Sequence, residues 1–195
     1  MLVRFDWDIA LRRLTQYLSP KLARLLRSDK QGFNKLFHEP DVALESGRIN
    51  FDEFHEIMSN RLAIEMEKAE FCRIWCDIFQ LDDDMAILGK ELSKRYGTWL
   101  VSNTSEAHYQ WIINKFPQIL FFRGAALSYE LAVMKPSEEY YSRLIQKFGI
   151  DPFRAVFIDD IQENVDAAIN AGIAGIVFQD KQQLMIELEK LGVKA

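Results

Sequence analysis

Lys135-Pro136 is followed, 24 residues after the lysine, by Asp159-Asp160 at the end of the apolar run Ala155-Val156-Phe157-Ile158. An isolated ammonium and a carboxylate pair delivered from the end of a buried strand suit the holding of phosphate against a divalent cation. Upstream, Trp99-Leu100-Val101 runs into Ser102-Asn103-Thr104-Ser105, with Ser102 lying 33 residues before the lysine. A hydroxyl and free backbone N–H groups at the start of a helix form a natural anion cradle. Hydroxyl, lysine and acidic pair, in that order, point to phosphoryl chemistry. The candidate catalytic residues are Ser102, Lys135 and Asp160. Ser102, Asn103 and Lys135 are the candidate phosphate-binding residues, and Asp160 and Asp159 the candidate metal ligands.

Two adjacent carboxylates after four apolar residues repel each other and resist desolvation unless a cation or a lysine compensates them. Donors that are all oxygen favour Mg²⁺, which takes one or two protein carboxylates and completes its shell with water and substrate phosphate. Asn164 is a candidate for orienting the carboxylates. Each element also has a plainer reading: a Ser/Thr helix cap, an exposed lysine, and Asp160 as a cap for the helix through Val165.

A parallel sheet is needed to bring these groups together. After Gly97, short apolar runs (99–101, 119–122, 155–158, 173–178) alternate with helical stretches (106–115, 138–148, 164–171, 182–191). That alternation predicts a doubly covered α/β core, whose ligands bind beyond the carboxyl ends of the strands. Gly149 and Gly172 stand where helices should stop. Residues 9–95 instead read as successive helices. Ala10, Leu14, Tyr17 and Leu18 share one face, and a second helix with Leu22, Leu25 and Leu26 follows Ser19-Pro20. Asn50 is a plausible cap for a helix carrying Phe54, Met58 and Leu62. Phe71, Ile74, Trp75, Ile78 and Phe79 continue the helical spacing. The expected domains are a helical unit over 9–80 and a Rossmann-like core over 81–195 together with 1–8.

Other features read as structural. Asp82-Asp83-Asp84 lacks the glycine and the spaced acids of a calcium loop and fits a helix N-terminus. Arg12, Arg13, Lys21, Arg24, Arg27 and Lys30 fit a solvated helix face. His38, His55 and His108 show no ligand spacing, although His108 lies about one turn past Ser102. Phe33, Phe37, Trp75 and Phe79 are candidate pocket or core aromatics. A net charge of -5 argues against a nucleic-acid partner. Cys72 and Cys76, one helical turn apart and without metal or disulfide partners, read as reduced thiols. They point to a cytoplasmic protein. No apolar run has the length of a membrane span.

Leu-Val-Ser102-Asn103, Met-Lys135-Pro136 and Phe-Ile-Asp159-Asp160-Ile-Gln-Glu-Asn164 together resemble the haloacid dehalogenase-like hydrolases. The branch they look most like holds the phosphatase domain of soluble epoxide hydrolase and bacterial sugar-phosphate phosphatases. Glu45-Ser46-Gly47-Arg48-Ile49-Asn50-Phe51-Asp52-Glu53-Phe54 is similar to a segment of that branch's helical cap. The resemblance implies hydrolysis of small phosphorylated metabolites through a phosphoaspartyl intermediate. By motif match, Ser102 binds the phosphoryl group, Lys135 balances its charge, and Asp160, supported by Asp159, holds Mg²⁺. Other outcomes within the same resemblance are a non-catalytic relative that binds phosphorylated ligands or a protein, and a haloacid dehalogenase.

One departure stands out. The family opens on a strand ending in a nucleophilic aspartate, and the only acidic residues near the start are Asp6 and Asp8. Either Met1 to Phe5 serves as that strand, with Asp6 as nucleophile and Asp8 as acid/base, or residues 2–8 are the segment that leads into the cap. The second reading is favoured, because a helix begins at once at Ile9 with no room for a turn. It leaves the first core strand missing, as a misplaced start would.

Overall fold

The computed structural model describes residues 2–28 and 30–194. The side chains of Leu25, Arg27, Ser28 and residues 30–35 lie outside the described residues, and with them the readings made for Leu25, Arg27, Lys30 and Phe33. The chain opens with β1 (Val3–Phe5). The helices α1 (Trp7–Leu14), α2 (Pro20–Ser28), α3 (Lys30–Glu45), α4 (Phe51–Leu62) and α5 (Lys68–Cys76) follow, and β2 (Phe79–Leu81) closes this part. Asn50 caps α4 as its sequence suggests. Its Oδ1 accepts from the Asp52 and Glu53 amides, while Glu53 Oε2 accepts from the Asn50 amide at 2.8 Å. Phe54, Met58, Leu62, Phe71, Ile74 and Trp75 are buried together in this helical layer, and Phe37 packs flat on Trp75. Tyr17 is exposed.

The second part is α/β. In order come α6 (Asp83–Ser93), β3 (Leu100–Ser102), α7 (Glu106–Lys115), β4 (Ala125–Leu127), α8 (Ser128–Leu131) and α9 (Glu138–Phe148). They are followed by β5 (Val156–Asp159), α10 (Gln162–Asn170), β6 (Ala174–Val177) and α11 (Lys181–Lys190). β3 pairs in parallel with β4, and β5 with β6. One core joins the two pairs: Val101, Ala126, Phe157 and Val177 from all four strands pack with Tyr140, Tyr141 and Leu144 of α9 and Val165 and Ala168 of α10. A separate cluster, containing Met85 and Leu88 of α6, Ile176 of β6 and Leu184 and Leu188 of α11, covers another face. The result is the expected parallel α/β core with a helical cap.

Two expectations are corrected. The helical spacing drawn through Ile78 and Phe79 does not hold. α5 stops at Cys76, and Phe79–Leu81 pairs antiparallel with Val3–Phe5, Phe5 opposite Phe79. The ladder is extended by Asp6 N–H to the Ile78 carbonyl and Asp82 N–H to the Leu2 carbonyl, so long-range pairing overrides local periodicity. The strand expected at 119–122 is also absent. A 3-10 turn occupies Pro117–Ile119, and the strand falls at Ala125–Leu127. Pro117 pre-sets the turn and has no N–H for a ladder. The apolar side chains there pack sideways, with Phe121 lying over the backbone of Gly89.

β1 therefore joins neither parallel strand pair. Among the described residues, no strand pairs with the second edge of β3 or of β5, and the two parallel pairs remain separate sheets. Ile158, in the middle of β5, is 37% exposed on the face opposite buried Phe157.

α10 sits hard against β6. A Cβ added at Gly175 would lie 2.5 Å from Val165 Cγ1 and 2.9 Å from Ile169 Cγ1. Val165 is buried and β-branched, so it has little freedom to yield. Gly175→Ala is expected to cost about 1–3 kcal/mol through overpacking, read as a lower urea midpoint with unchanged slope.

Candidate active site

Lys135 and Asp159 meet at 2.6 Å between Nζ and Oδ2, with side chains only 8% and 5% exposed. Both oxygens of Asp159 are in use. Oδ1 accepts from the Ile161 amide at 2.9 Å and from Asn164 Nδ2 at 3.0 Å. Burial alone would raise the pKa of Asp159. The Lys135 charge and these donors outweigh it and hold the carboxyl below its ordinary value. The Lys135 Nζ also lies 5.7 Å from the centre of the Phe157 ring, over the strand that delivers Asp159.

The backbone of Lys135 is held as firmly as its tip. Asn103, one residue beyond β3, donates from Nδ2 to the Lys135 carbonyl at 3.0 Å and accepts the Lys135 amide on Oδ1 at 2.9 Å. The Lys135-Pro136 peptide is cis. Asn164 is fixed from the far side, where its carbonyl accepts the Tyr141 hydroxyl at 2.5 Å. Asn103, Lys135, Asp159 and Asn164 thus form one hydrogen-bonded chain from the end of β3 to the start of α10.

Ser102 is the last residue of β3, half-buried, with its hydroxyl donating to the Asn103 carbonyl at 3.2 Å. Asp160 follows β5, exposed, with no ion pair among the described residues. The two aspartates therefore have different environments: Asp159 is saturated by protein donors and Asp160 faces solvent. No group of three or more His, Cys, Asp or Glu that could hold a metal exists among the described residues.

Several sequence candidates lie elsewhere. Asp6 caps α1, its Oδ1 accepting from the Asp8 amide at 2.9 Å, and both residues are exposed and outside the Lys135 chain. His108 is a core residue. It is buried between Trp7, Trp75 and Phe79, its Nε2 lies 3.3 Å from the Trp75 carbonyl, and burial lowers its pKa to about 4. It is neutral at pH 7 and ties α7 to the cap. Phe37 and Trp75 are core, and Phe79 is half-buried. Asp82 caps α6 and pairs with Arg4 at 2.7 Å, in keeping with a helix N-terminus. Of the basic stretch, Arg12, Lys21 and Arg24 are exposed, whereas Arg13 pairs with Asp77 at 3.0 Å.

Sequence reasoning missed Ser128. Its buried hydroxyl accepts the Thr104 amide at 2.9 Å and lies 2.6 Å from the Glu45 carbonyl, joining the loop after β3 to the end of α3. A serine directly after a strand carries no local sign of that role.

The model of one family, the haloacid dehalogenase-like hydrolases, matches residues 15–172. The chain belongs to this family. D-ribitol-5-phosphate phosphatase of Bacteroides thetaiotaomicron is 28% identical over 153 residues, 71% of this chain and 69% of that enzyme. Flavin mononucleotide hydrolase 1 of Arabidopsis thaliana is 36% identical over 59 residues, 30% of this chain and only 24% of the plant enzyme's length. A solved haloacid dehalogenase-family enzyme of B. thetaiotaomicron, in complex with magnesium and inorganic phosphate, superposes with a TM-score of 0.78. It is 20% identical, over 94% of this chain and 93% of that one. No helix among the described residues is long and apolar enough to cross a membrane.

Removing one partner of the buried pair strands a charge. Lys135→Met is expected to lower stability at pH 7 by about 3 kcal/mol in chemical denaturation. The sign with pH follows from the depressed native pKa of Asp159. Its stabilisation is full above the unfolded value near 4 and is lost as pH falls through the native value. The variant should show a shallower loss of stability in acid than the parent.

Proposed function

We propose that the protein is a phosphatase-type hydrolase scaffold for small phosphorylated metabolites, with 9–80 as the cap and 81–195 plus 1–8 as the core. The buried Lys135–Asp159 pair, clamped by Asn103 at the mouth of two parallel strand pairs, carries this reading. In it, the Ser102 hydroxyl and the amides after it hold phosphoryl oxygens, and Lys135 offsets their charge. Asp160 would hold Mg²⁺, which supplies further neutralisation of the phosphoryl group. One free exposed carboxylate, with water and substrate oxygens, fits how that ion binds. Asp159 acts through Lys135 by fixing its ammonium, and the cap excludes water and selects the substrate. The net charge of -5 supports a metabolite over a nucleic acid, and the free cysteines fit a cytoplasmic setting.

A phosphoaspartyl route needs a carboxylate free to attack beside Lys135. Asp159 is spent on three donors and Asp6 on its helix cap, so neither is available. This supports binding without turnover, and it favours the non-catalytic reading over dehalogenation. With para-nitrophenyl phosphate and Mg²⁺, hydrolysis is expected at the rate of the buffer alone. Robust turnover abolished by Asp6→Asn would make Asp6 the nucleophile instead. Inorganic phosphate should bind in the presence of Mg²⁺, about tenfold more weakly in Ser102→Ala and in Asp160→Asn.

A further inference from the structure

Cys72 and Cys76 are the two cysteines of the chain, and α5 sets them in contact, with their Sγ atoms 3.8 Å apart. Both are free thiols, but they are not equivalent. Cys76 is sealed in the core of the cap, whereas Cys72, one turn earlier, is only half-buried and open in part to solvent. An oxidant arriving from solvent therefore meets Cys72 first, and Cys76 is reached through Cys72. Lys68 stands a further turn back on the same helix, its Nζ paired with Asp52 at 2.7 Å. The hydrogen bond from Cys76, helped by the Lys68 charge, outweighs burial and lowers the pKa of Cys72 to about 7. The same hydrogen bond, together with burial, raises that of Cys76.

Backbone geometry allows the two sulfurs to join. Cα atoms at i and i+4 of a helix are about 6 Å apart, within the span of a disulfide. Their Cβ atoms, about 5–6 Å apart, are wider than a disulfide takes, so the turn between them has to tighten. Cys76 is the last residue of α5, and Asp77 has already left helical backbone at φ -84° and ψ 52°. The turn that tightens is a terminal one, with no helix beyond it to resist.

We propose that Cys72 and Cys76 are a peroxide-reactive modification site, in which Cys72 is oxidised first and Cys76 closes it to a disulfide within α5. In the first step the Cys72 sulfur bonds to one oxygen of the peroxide and the O–O bond breaks. The other oxygen leaves with the Cys72 proton, as water when the oxidant is hydrogen peroxide, and Cys72 is left as a sulfenic acid. In the second step the Cys76 sulfur bonds to the Cys72 sulfur and the S–O bond breaks. The hydroxyl leaves with the Cys76 proton as water. Two thiols are oxidised and one peroxide is reduced, so no other reactant is needed. Contact between the sulfurs makes the second step intramolecular and protects Cys72 from further oxidation.

The test is hydrogen peroxide treatment of the reduced protein at pH 7, without phosphate or Mg²⁺, so that it stands apart from the phosphatase reading. Intact mass, peptide mapping without reductant and a thiol count are the readouts. The parent is expected to lose both thiols about tenfold faster than glutathione does. Its mass should fall by that of two hydrogens, with Cys72 joined to Cys76 in the same chain, and dithiothreitol should restore both thiols. Cys76→Ser should stop at a Cys72 sulfenic acid that dimedone traps. In Cys72→Ser, peroxide should consume the remaining thiol at least tenfold more slowly. A parent no faster than glutathione, a disulfide between two chains, or oxygen gained with no hydrogens lost overturns the proposal. So does an unchanged rate in Cys72→Ser, or a folded Cys76 variant that gives no dimedone adduct. Thermal unfolding checks the variants. If Cys76→Ser does not fold, Cys76→Ala takes its place with the same adduct expected, and the mass change of the parent decides the matter without any variant.

Discussion

A lysine and an aspartate, both nearly sealed from water and 2.6 Å apart, organise this molecule. Such a pair is tolerable only if nearly every remaining lone pair and proton is satisfied, because desolvating two charges costs more than their attraction returns. On the aspartate the surroundings meet that demand, with three donors on its two oxygens. Asn103 holds the lysine's backbone in both directions, and Ile161 and Asn164 fill the second oxygen of the aspartate. The Tyr141 hydroxyl then holds the Asn164 carbonyl. Three loops and two helix starts are tied by one charge pair, at the end of the sheet where a parallel α/β fold binds its ligands.

The same demand divides the work of adjacent aspartates. Alternation along β5 turns Asp159 into the protein, where it is consumed by Lys135, and leaves Asp160 beyond the strand in solvent. Two identical side chains joined by one peptide bond thereby become one buried member of an ion pair and one exposed carboxylate. The cap meets the core at the end of α3, where the Glu45 carbonyl accepts from Ser128 and Gly47, just beyond the helix, packs on the Tyr129 carbonyl.

Much of the site was legible in the sequence because its signals are local. A strand ending in Ser-Asn, a Lys-Pro and a strand ending in Asp-Asp each mark a strand terminus or helix start by residue type alone. The resemblance to the hydrolase family added the order in which they belong. Asn164 as a partner of the carboxylates was also readable, five residues after Asp159 on the first turn of α10. Less legible were Phe79, whose helical spacing lost to an antiparallel partner 74 residues away, and the run at 119–122, whose apolar side chains serve packing rather than a ladder. Periodicity reports which side chains are buried, and it does not report what buries them.

By itself, the sequence determined the alternation of strand and helix after Gly97, the helix cap at Asn50, the helix N-terminus at Asp82-Asp83-Asp84, and the residue types available for holding phosphate. Those depend on neighbours within a turn or two. Only the tertiary structure decided which of the paired aspartates is buried, that Asn103 clamps Lys135, and that Asp41 keeps a buried oxygen without a partner among the described residues. It also decided that Val3–Phe5 joins β2 and leaves one edge each of β3 and β5 without a partner among the described residues. Each of these is a choice among distant partners, made by the burial and hydrogen bonding of groups that local spacing cannot bring together.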